Sequence, residues 1–240
     1  MIGLSERLLT IANMIDNGET LADIGTDHGY LPIHLLLEEI SPSVILADIS
    51  KGSLTKAKEN CAEYLADQKA YFREGDGLEV LLPGEVDAVV LAGIGGLLTI
   101  DILDWDLEKS HSFKKLILQP RNNSGALRRY LVSHGFSIMD YRIVPEGHRF
   151  SEILKVVTTE DSHGTIPILS EAEWEFPDEI VSDKNPYAKE YLEKCLEQEK
   201  AILNKITEGI GAEKSDSSEQ GIAFRKERIE RIEYLLSKVK

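Results

Sequence analysis

Asp23-Ile24-Gly25-Thr26-Asp27-His28-Gly29-Tyr30 follows a short apolar run, Thr20 to Ile24, and leads into a helical pattern that reaches Glu39. A buried strand that ends in a glycine turn and feeds a helix is how an open α/β sheet begins a ligand site. The glycines say which kind. A dinucleotide turn needs Gly-x-Gly-x-x-Gly, whereas Gly25 and Gly29 stand four apart with Asp27 between them. That spacing suits a zwitterionic tail better than a pyrophosphate. Backbone N–H groups around Gly25, Thr26 and Gly29 favour a carboxylate, and Asp23 favours an ammonium.

Outward from this turn the hydrophobic pattern alternates between strand and helix. Leu4, Leu8, Ile11, Ala12 and Ile15 recur at helical spacing, and Asn17-Gly18 ends that helix. Beyond Ser41-Pro42 the spacing predicts strand 44–48, helix 53–66, strand 70–74, strand 86–92, helix 97–103, strand 115–119 and helix 124–134. Two strands then follow with no helix between them, 136–144 and 152–159, which implies an antiparallel hairpin at one edge of a largely parallel, doubly wound sheet. Such an ending is typical of class I methyltransferases and less so of nicotinamide-binding folds.

The ends of the later strands carry the same kind of chemistry. Asp48, followed by Ile49, is twenty-three residues beyond Gly25, where an acid accepts both ribose hydroxyls of a nucleoside. Glu74-Gly75-Asp76-Gly77 places Asp76 to accept from an adenine amino group while Gly77 admits the ring. Ala92-Gly93-Ile94-Gly95-Gly96 offers close backbone approach to a methyl donor or a flat base. It lacks the Asn-Pro-Pro-aromatic element used on exocyclic amines. Gln119-Pro120-Arg121-Asn122-Asn123 supplies amides able to read a base edge, Gln119 and Asn122 first. The expected ligand is S-adenosyl-L-methionine, with Asp23, Gly25, Thr26, Gly29, Asp48, Ile49, Asp76, Gly77, Ala92 and Gly93 around it. Gly95, Gly96, Gln119 and Asn122 then face the acceptor.

From about Asp161 strand patterns vanish. Ala188, Leu192, Cys195, Glu199, Ile202 and Ile206 step by three and four, as do Ile222, Arg225, Ile229, Ile232, Leu236 and Val239. Separated by a polar linker, 213–219, they are expected to fold back as an antiparallel coiled-coil pair. The expected domains are therefore a Rossmann-like, seven-stranded methyltransferase domain over 1–160 and a helical domain over 161–240 that extends the substrate-binding face.

Composition excludes several classes. With 42% hydrophobic and 29% charged residues the chain has a core to bury and is not a disordered one. No apolar run approaches the roughly 20 residues of a membrane span, and residues 1–10 lack a signal-peptide core. A cytoplasmic location, no membrane partner and a monomer are the expectations. Cys61 and Cys195 read as separate reduced thiols, without a zinc signature. A net charge of −15 disfavours a generally basic nucleic-acid binder. Residues 111–150 nevertheless hold Lys114, Lys115, Arg121, Arg128, Arg129, Arg142 and Arg149 against only Asp140 and Glu146, so this stretch is +5 and the remainder −20. It is a candidate phosphate-tracking patch, with Arg128 and Arg129 at its centre.

The sequence resembles the bacterial TrmK-type tRNA adenine-N1 methyltransferases, which act on the adenine at position 22 of tRNA. The likeness rests on Leu4-Ser5-x-Arg7-Leu8, Ala22 to Pro32, Gly75-Asp76-Gly77-Leu78, Ala92 to Gly96, Leu118-Gln119-Pro120 and Leu127-Arg128. It continues in Glu152-Ile153-Leu154 and Lys184-Asn185-Pro186, so it covers essentially the whole chain. Ile94, Arg121 and Asp48 depart from the common Met, Asn and Glu. The resemblance implies tRNA as partner and adenine N1 as acceptor. Because N1 carries an in-plane lone pair, the expected work of the protein is positioning and electrostatics. Asp27 is the expected catalytic carboxylate, and His28 and Tyr30 are expected to stack on or bond to the base. A methyltransferase for another RNA or a small substrate, and a non-catalytic RNA-binding or cofactor-sensing module, are the alternatives.

Overall fold

The computed structural model describes residues 2–158, 167–209 and 216–239. It divides into two compact units, Met1–Ile166 and Pro167–Lys240. The expected domain division at 160/161, the last residue of strand 152–159, and linker residues 213–215 lie outside the described residues.

In the first unit the chain runs α1 (Glu6–Ala12), β1 (Leu21–Ile24), α2 (Tyr30–Leu37), β2 (Val44–Asp48), α3 (Lys51–Glu63) and β3 (Ala70–Glu74). It continues through β4 (Ala88–Ile94), α4 (Gly96–Asp104), α5 (Leu107–His111), β5 (Lys115–Pro120), α6 (Ser124–Ser133), β6 (Phe136–Glu146) and β7 (Arg149–Thr158). Seven strands form one sheet in the order β3-β2-β1-β4-β5-β7-β6. The first five pair in parallel, and β7 lies antiparallel between β5 and β6. This is the Rossmann-like arrangement expected, with the hairpin at the edge.

The central strands are buried on both faces, which is why β2 and β4 read as near-continuous apolar runs and β5 keeps an apolar centre, Leu116–Leu118. Ile11 and Ala12 of α1, Leu31, Ile33 and Leu35 of α2, and Ala57 and Cys61 of α3 form one core with Leu21, Leu46, Val90 and Ile117. The alternate strand residues, Ala22, Ile45, Val89, Leu91, Leu116 and Leu118, are equally buried and point to the opposite face. The edge hairpin turns through Gly147-His148, with Gly147 at φ 59° as a two-residue loop requires. One extra residue, Met139, bulges where the β6–β7 register shifts between Ile138 and Asp140.

Strand β4 starts two residues later than the periodicity predicts and runs to Ile94, so Ala92 and Gly93 belong to the strand end. Helix α5 was not expected. It is a single capped turn, with the Asp106 side chain accepting from the Lys109 N–H at 3.0 Å.

The second unit holds α7 (Glu171–Glu175), α8 (Ala188–Gly209) and α9 (Asp216–Lys238). A reciprocal Ser170–Glu173 capping box starts α7. Helices α8 and α9 pack on each other. Glu199, an expected seam position, is buried and accepts from Arg225 Nη1 and Arg228 Nε, each at 2.8 Å. Among the described residues no helix is long and apolar enough to cross a membrane.

Candidate active site

The carboxyl ends of β1 and β4, the residue after β5, and α1 together frame a cleft of about 380 Å³. Asp23 forms its floor. Only 6% exposed, it accepts from Thr26 Oγ1 at 2.7 Å. Burial pushes its carboxyl up to about 6; the Thr26 hydrogen bond and the Arg7 charge pull the other way, and nearby Asp48 adds to the rise.

The two glycines of the turn do different work. Gly25, at φ 78°, donates its N–H to Ala47 O at 2.8 Å and leaves backbone exposed in the cleft. Gly29, at φ 73°, lets α2 start against its neighbours: a Cβ there would fall 2.9 Å from Leu46 Cδ2 and 3.3 Å from Ala57 Cβ. Gly29 is therefore a packing residue outside the cleft lining. Between them Asp27 takes a left-handed φ of 46°, which a short polar side chain tolerates. Its Oδ2 lies 3.5 Å from His28 Nε2, and the His28 ring stacks on Tyr30 at 5.4 Å and 9°.

Across the cleft Ala92, Gly93 and Ile94 line the other wall. Gly93 has φ 74°, and its N–H donates to Gln119 Oε1 at 2.9 Å. Asp76 and Gly77 lie instead in a second depression, of about 220 Å³, with Leu98, Asp101, Ile102 and Trp105. An aromatic and two aliphatic walls beside carboxylates suit a heteroaromatic ring bearing amino donors. Asp48 and Ile49 line neither hollow. Asp48 Oδ1 accepts the Ser50 N–H at 2.7 Å, and Ile49 is exposed.

On the acceptor side the structure corrects several expectations. Gln119 does not present its amide to a ligand. It is buried, and its Oε1 is already occupied by Gly93 N–H and by Arg7 Nη1, while Nε2 donates to Pro120 O. Gly96 is required by packing, because a Cβ would meet the carbonyl oxygens of Asn122 and Asn123 at 2.6 and 2.7 Å. Gly95 lies beside it, where a Cβ would be 3.2 Å from Asn122 Oδ1, an atom that also accepts from Asn123 Nδ2.

The basic stretch is corrected too. Arg128 is 3% exposed, and its Nη1 pairs with Glu152 at 2.6 Å, so it cannot reach a phosphate. Lys114 pairs with Asp87, Lys115 is buried against Asp16 and Glu19, and Arg142 pairs with Asp140. Arg129 and Arg149 keep exposed positions.

Two charged cleft residues escaped the assignment of site residues from sequence. Arg7 entered only as part of the Leu4–Leu8 family likeness, and Arg121 only as one of seven basic residues and a departure from the family pattern. Both line the cleft. A cation on the apolar first helix, and a cation directly at a strand end, were the available signals.

Residues 4–154 match the methyltransferase-domain family. The tRNA (adenine(22)-N(1))-methyltransferase of Bacillus subtilis is 36% identical over 151 residues, which are 63% of this chain and 63% of that protein; the match thus spans under two thirds of its length. The crystal structure of the B. subtilis m1A22 tRNA methyltransferase TrmK superposes with a TM-score of 0.83 at 28% identity, covering 98% of this chain and 100% of that one. Streptococcus pneumoniae Sp1610, a putative tRNA (m1A22) methyltransferase solved with S-adenosyl-L-methionine, gives 0.81 at 28% identity, with 98% and 100% covered. With a glycine-walled cleft over a buried acid at the strand ends, and a family match across the whole sheet up to β7, this chain belongs to the methyltransferase-domain family.

Proposed function

We propose that this chain transfers the methyl group of S-adenosyl-L-methionine to N1 of an adenine in the D-arm region of tRNA. The observation that carries the reading is Asp23, a buried acid at the end of β1 facing a cleft whose opposite wall is formed by Ala92, Gly93 and Ile94. It is supported by a solved structure that superposes on 98% of this chain and by a relative that matches 63% of it, both with names that specify this reaction.

The residues present fit the cofactor. Asp23 meets the ammonium of the methionine tail, and the exposed glycine at Gly25 lets that tail lie close against the turn. Asp76, Gly77 and Trp105 take the adenine ring, and Asp48 at the end of β2 takes the ribose hydroxyls. When bound, S-adenosyl-L-methionine supplies an electrophilic sulfonium methyl. The protein then has no proton to remove, since adenine N1 attacks with an in-plane lone pair. Asp27 accepts from the exocyclic amine and offsets the positive charge that develops on the ring. The stacked His28–Tyr30 pair gives the base a flat surface. N1 lies on the Watson–Crick edge, so the target nucleotide must be unpaired or extruded. Arg129 contacts the tRNA backbone, and the chain acts in the cytoplasm as a monomer.

Calorimetry with S-adenosyl-L-homocysteine and with a nicotinamide dinucleotide tests the cofactor assignment, and tritiated cofactor with a tRNA transcript tests the acceptor. The expected results are binding of the first ligand only and label in the tRNA. Cofactor binding without label in tRNA overturns the acceptor assignment.

A further inference from the structure

Arg121 is the cation of its stretch that lines the cleft. Lys114, Lys115, Arg128 and Arg142 are held by carboxylates, as are Arg7 by Glu146 and Arg73 by Glu85. Among the described residues the Arg121 guanidinium pairs with no carboxylate, although 42 acidic residues outnumber 27 basic ones in the chain. Its backbone is fixed, with the N–H donating to Ile94 O at 2.9 Å directly after β5. Its side chain crosses over Gly93, so that a Cβ on that glycine would lie 3.5 Å from Nη2 and 3.6 Å from Nε. The residue is exposed, yet it lines the same cleft as Asp23, Asp27, His28 and Tyr30.

An open guanidinium at the wall of such a cleft is a forked donor for an oxyanion. Two anions share that chemistry here, the phosphate of the acceptor nucleotide and the carboxylate of the methionine tail. Burial separates them. An ammonium held by Asp23, which is 6% exposed, keeps its own α-carboxylate near the buried floor, whereas Arg121 is exposed. We propose that Arg121 binds the phosphate next to the methylated adenosine, so that the cleft selects a nucleotide within a polynucleotide over a free nucleoside. This rests on the nucleic-acid acceptor proposed above.

The test compares wild type with Arg121→Gln and Arg121→Lys, using a tRNA transcript and S-adenosyl-L-homocysteine as probes. Arg121 is exposed, so both variants are expected to keep the wild-type melting temperature. Arg121→Gln is expected to raise the KM for tRNA roughly ten-fold and to lower the slope of log affinity against log salt by about one phosphate contact. Affinity for S-adenosyl-L-homocysteine is expected to stay within about two-fold. Arg121→Lys is expected to recover the salt slope but only part of the KM, since an ammonium lacks the fork. An unchanged KM and salt slope in Arg121→Gln overturns the proposal. A ten-fold loss of S-adenosyl-L-homocysteine affinity with unaltered tRNA binding also overturns it, assigning Arg121 to the cofactor carboxylate. A wild-type protein that leaves tRNA unmethylated fails the underlying reading instead, and with it this one.

Discussion

Arg7 Nη1 donates to Gln119 Oε1 at 3.0 Å, and the same oxygen accepts the Gly93 N–H at 2.9 Å. A residue of the first helix thus holds the backbone of the β4 wall through an amide at the end of β5. Glu146 fixes the other side of the guanidinium, accepting from Arg7 Nε at 2.7 Å. Helix α1 is part of the cleft as well as of the core.

Arg7→Met is expected to weaken S-adenosyl-L-homocysteine binding. Hydrogen bonds to a charged group contribute about 1.5–3 kcal/mol, which corresponds to a roughly 10- to 100-fold change. Gln119→Ala should act in the same direction, and the double variant should be little worse than either single one, because both break one chain of contacts. Additive losses measured by calorimetry would contradict the link.

Asp23 is expected to make cofactor binding depend on pH. Its carboxyl titrates at about 6 in the folded protein because burial disfavours the charge. An ammonium beside it favours the ionised form, so binding near pH 6 should release a proton and affinity should rise as pH increases through that value. Asp23→Asn should remove both effects in calorimetry run in two buffers of different ionisation enthalpy. Stability follows the opposite trend. The folded state holds this proton more tightly than an ordinary carboxyl of about 3.9. Its contribution is therefore present below about 4 and lost as pH rises through 6. Urea unfolding of Asp23→Asn should lack that decline.

Arg128→Met is expected to lower unfolding stability by about 3–5 kcal/mol, the cost of leaving one partner of a buried ion pair uncompensated. Glu152, which also accepts from Tyr141 Oη at 2.7 Å, is the group left behind. Urea denaturation measures the loss. The folded fraction should retain wild-type affinity for tRNA. Weaker tRNA binding at unchanged stability would return Arg128 to the interface.

The sheet was legible because its physics is local. Strands buried on both faces are largely apolar, glycines mark most of the positive-φ turns, and two successive strands without a helix between them favour a hairpin. Helix α5 was not legible, since five residues are too few to show a helical period. The bulge at Met139 depends on the partner strand and leaves no local pattern. The site was legible in its residue types but not in their occupancy. An amide at Gln119 and a cation at Arg128 both read as free to bind a ligand, while the groups that claim them, Arg7 and Glu152, lie 112 and 24 positions away. Glu199 shows the converse: the helical spacing put it on the seam, and only the fold supplied Arg225 and Arg228 to neutralise it.

Asp27→Ala should bind S-adenosyl-L-homocysteine as wild type does, because its exposed carboxylate stands at the tip of the turn, away from the buried floor. Single-turnover methyl transfer should fall by about 10²-fold or more, the scale on which a preorganised electrostatic group acts. A wild-type single-turnover rate would remove Asp27 from the mechanism.

The most direct test of the central claim is to incubate the full chain with labelled S-adenosyl-L-methionine and an unmodified tRNA transcript, then map the product nucleoside by mass spectrometry. The account predicts 1-methyladenosine at a single adenine of the D-arm region. Methyl on an exocyclic amine or on another base, or a tRNA that remains unmethylated, would contradict it.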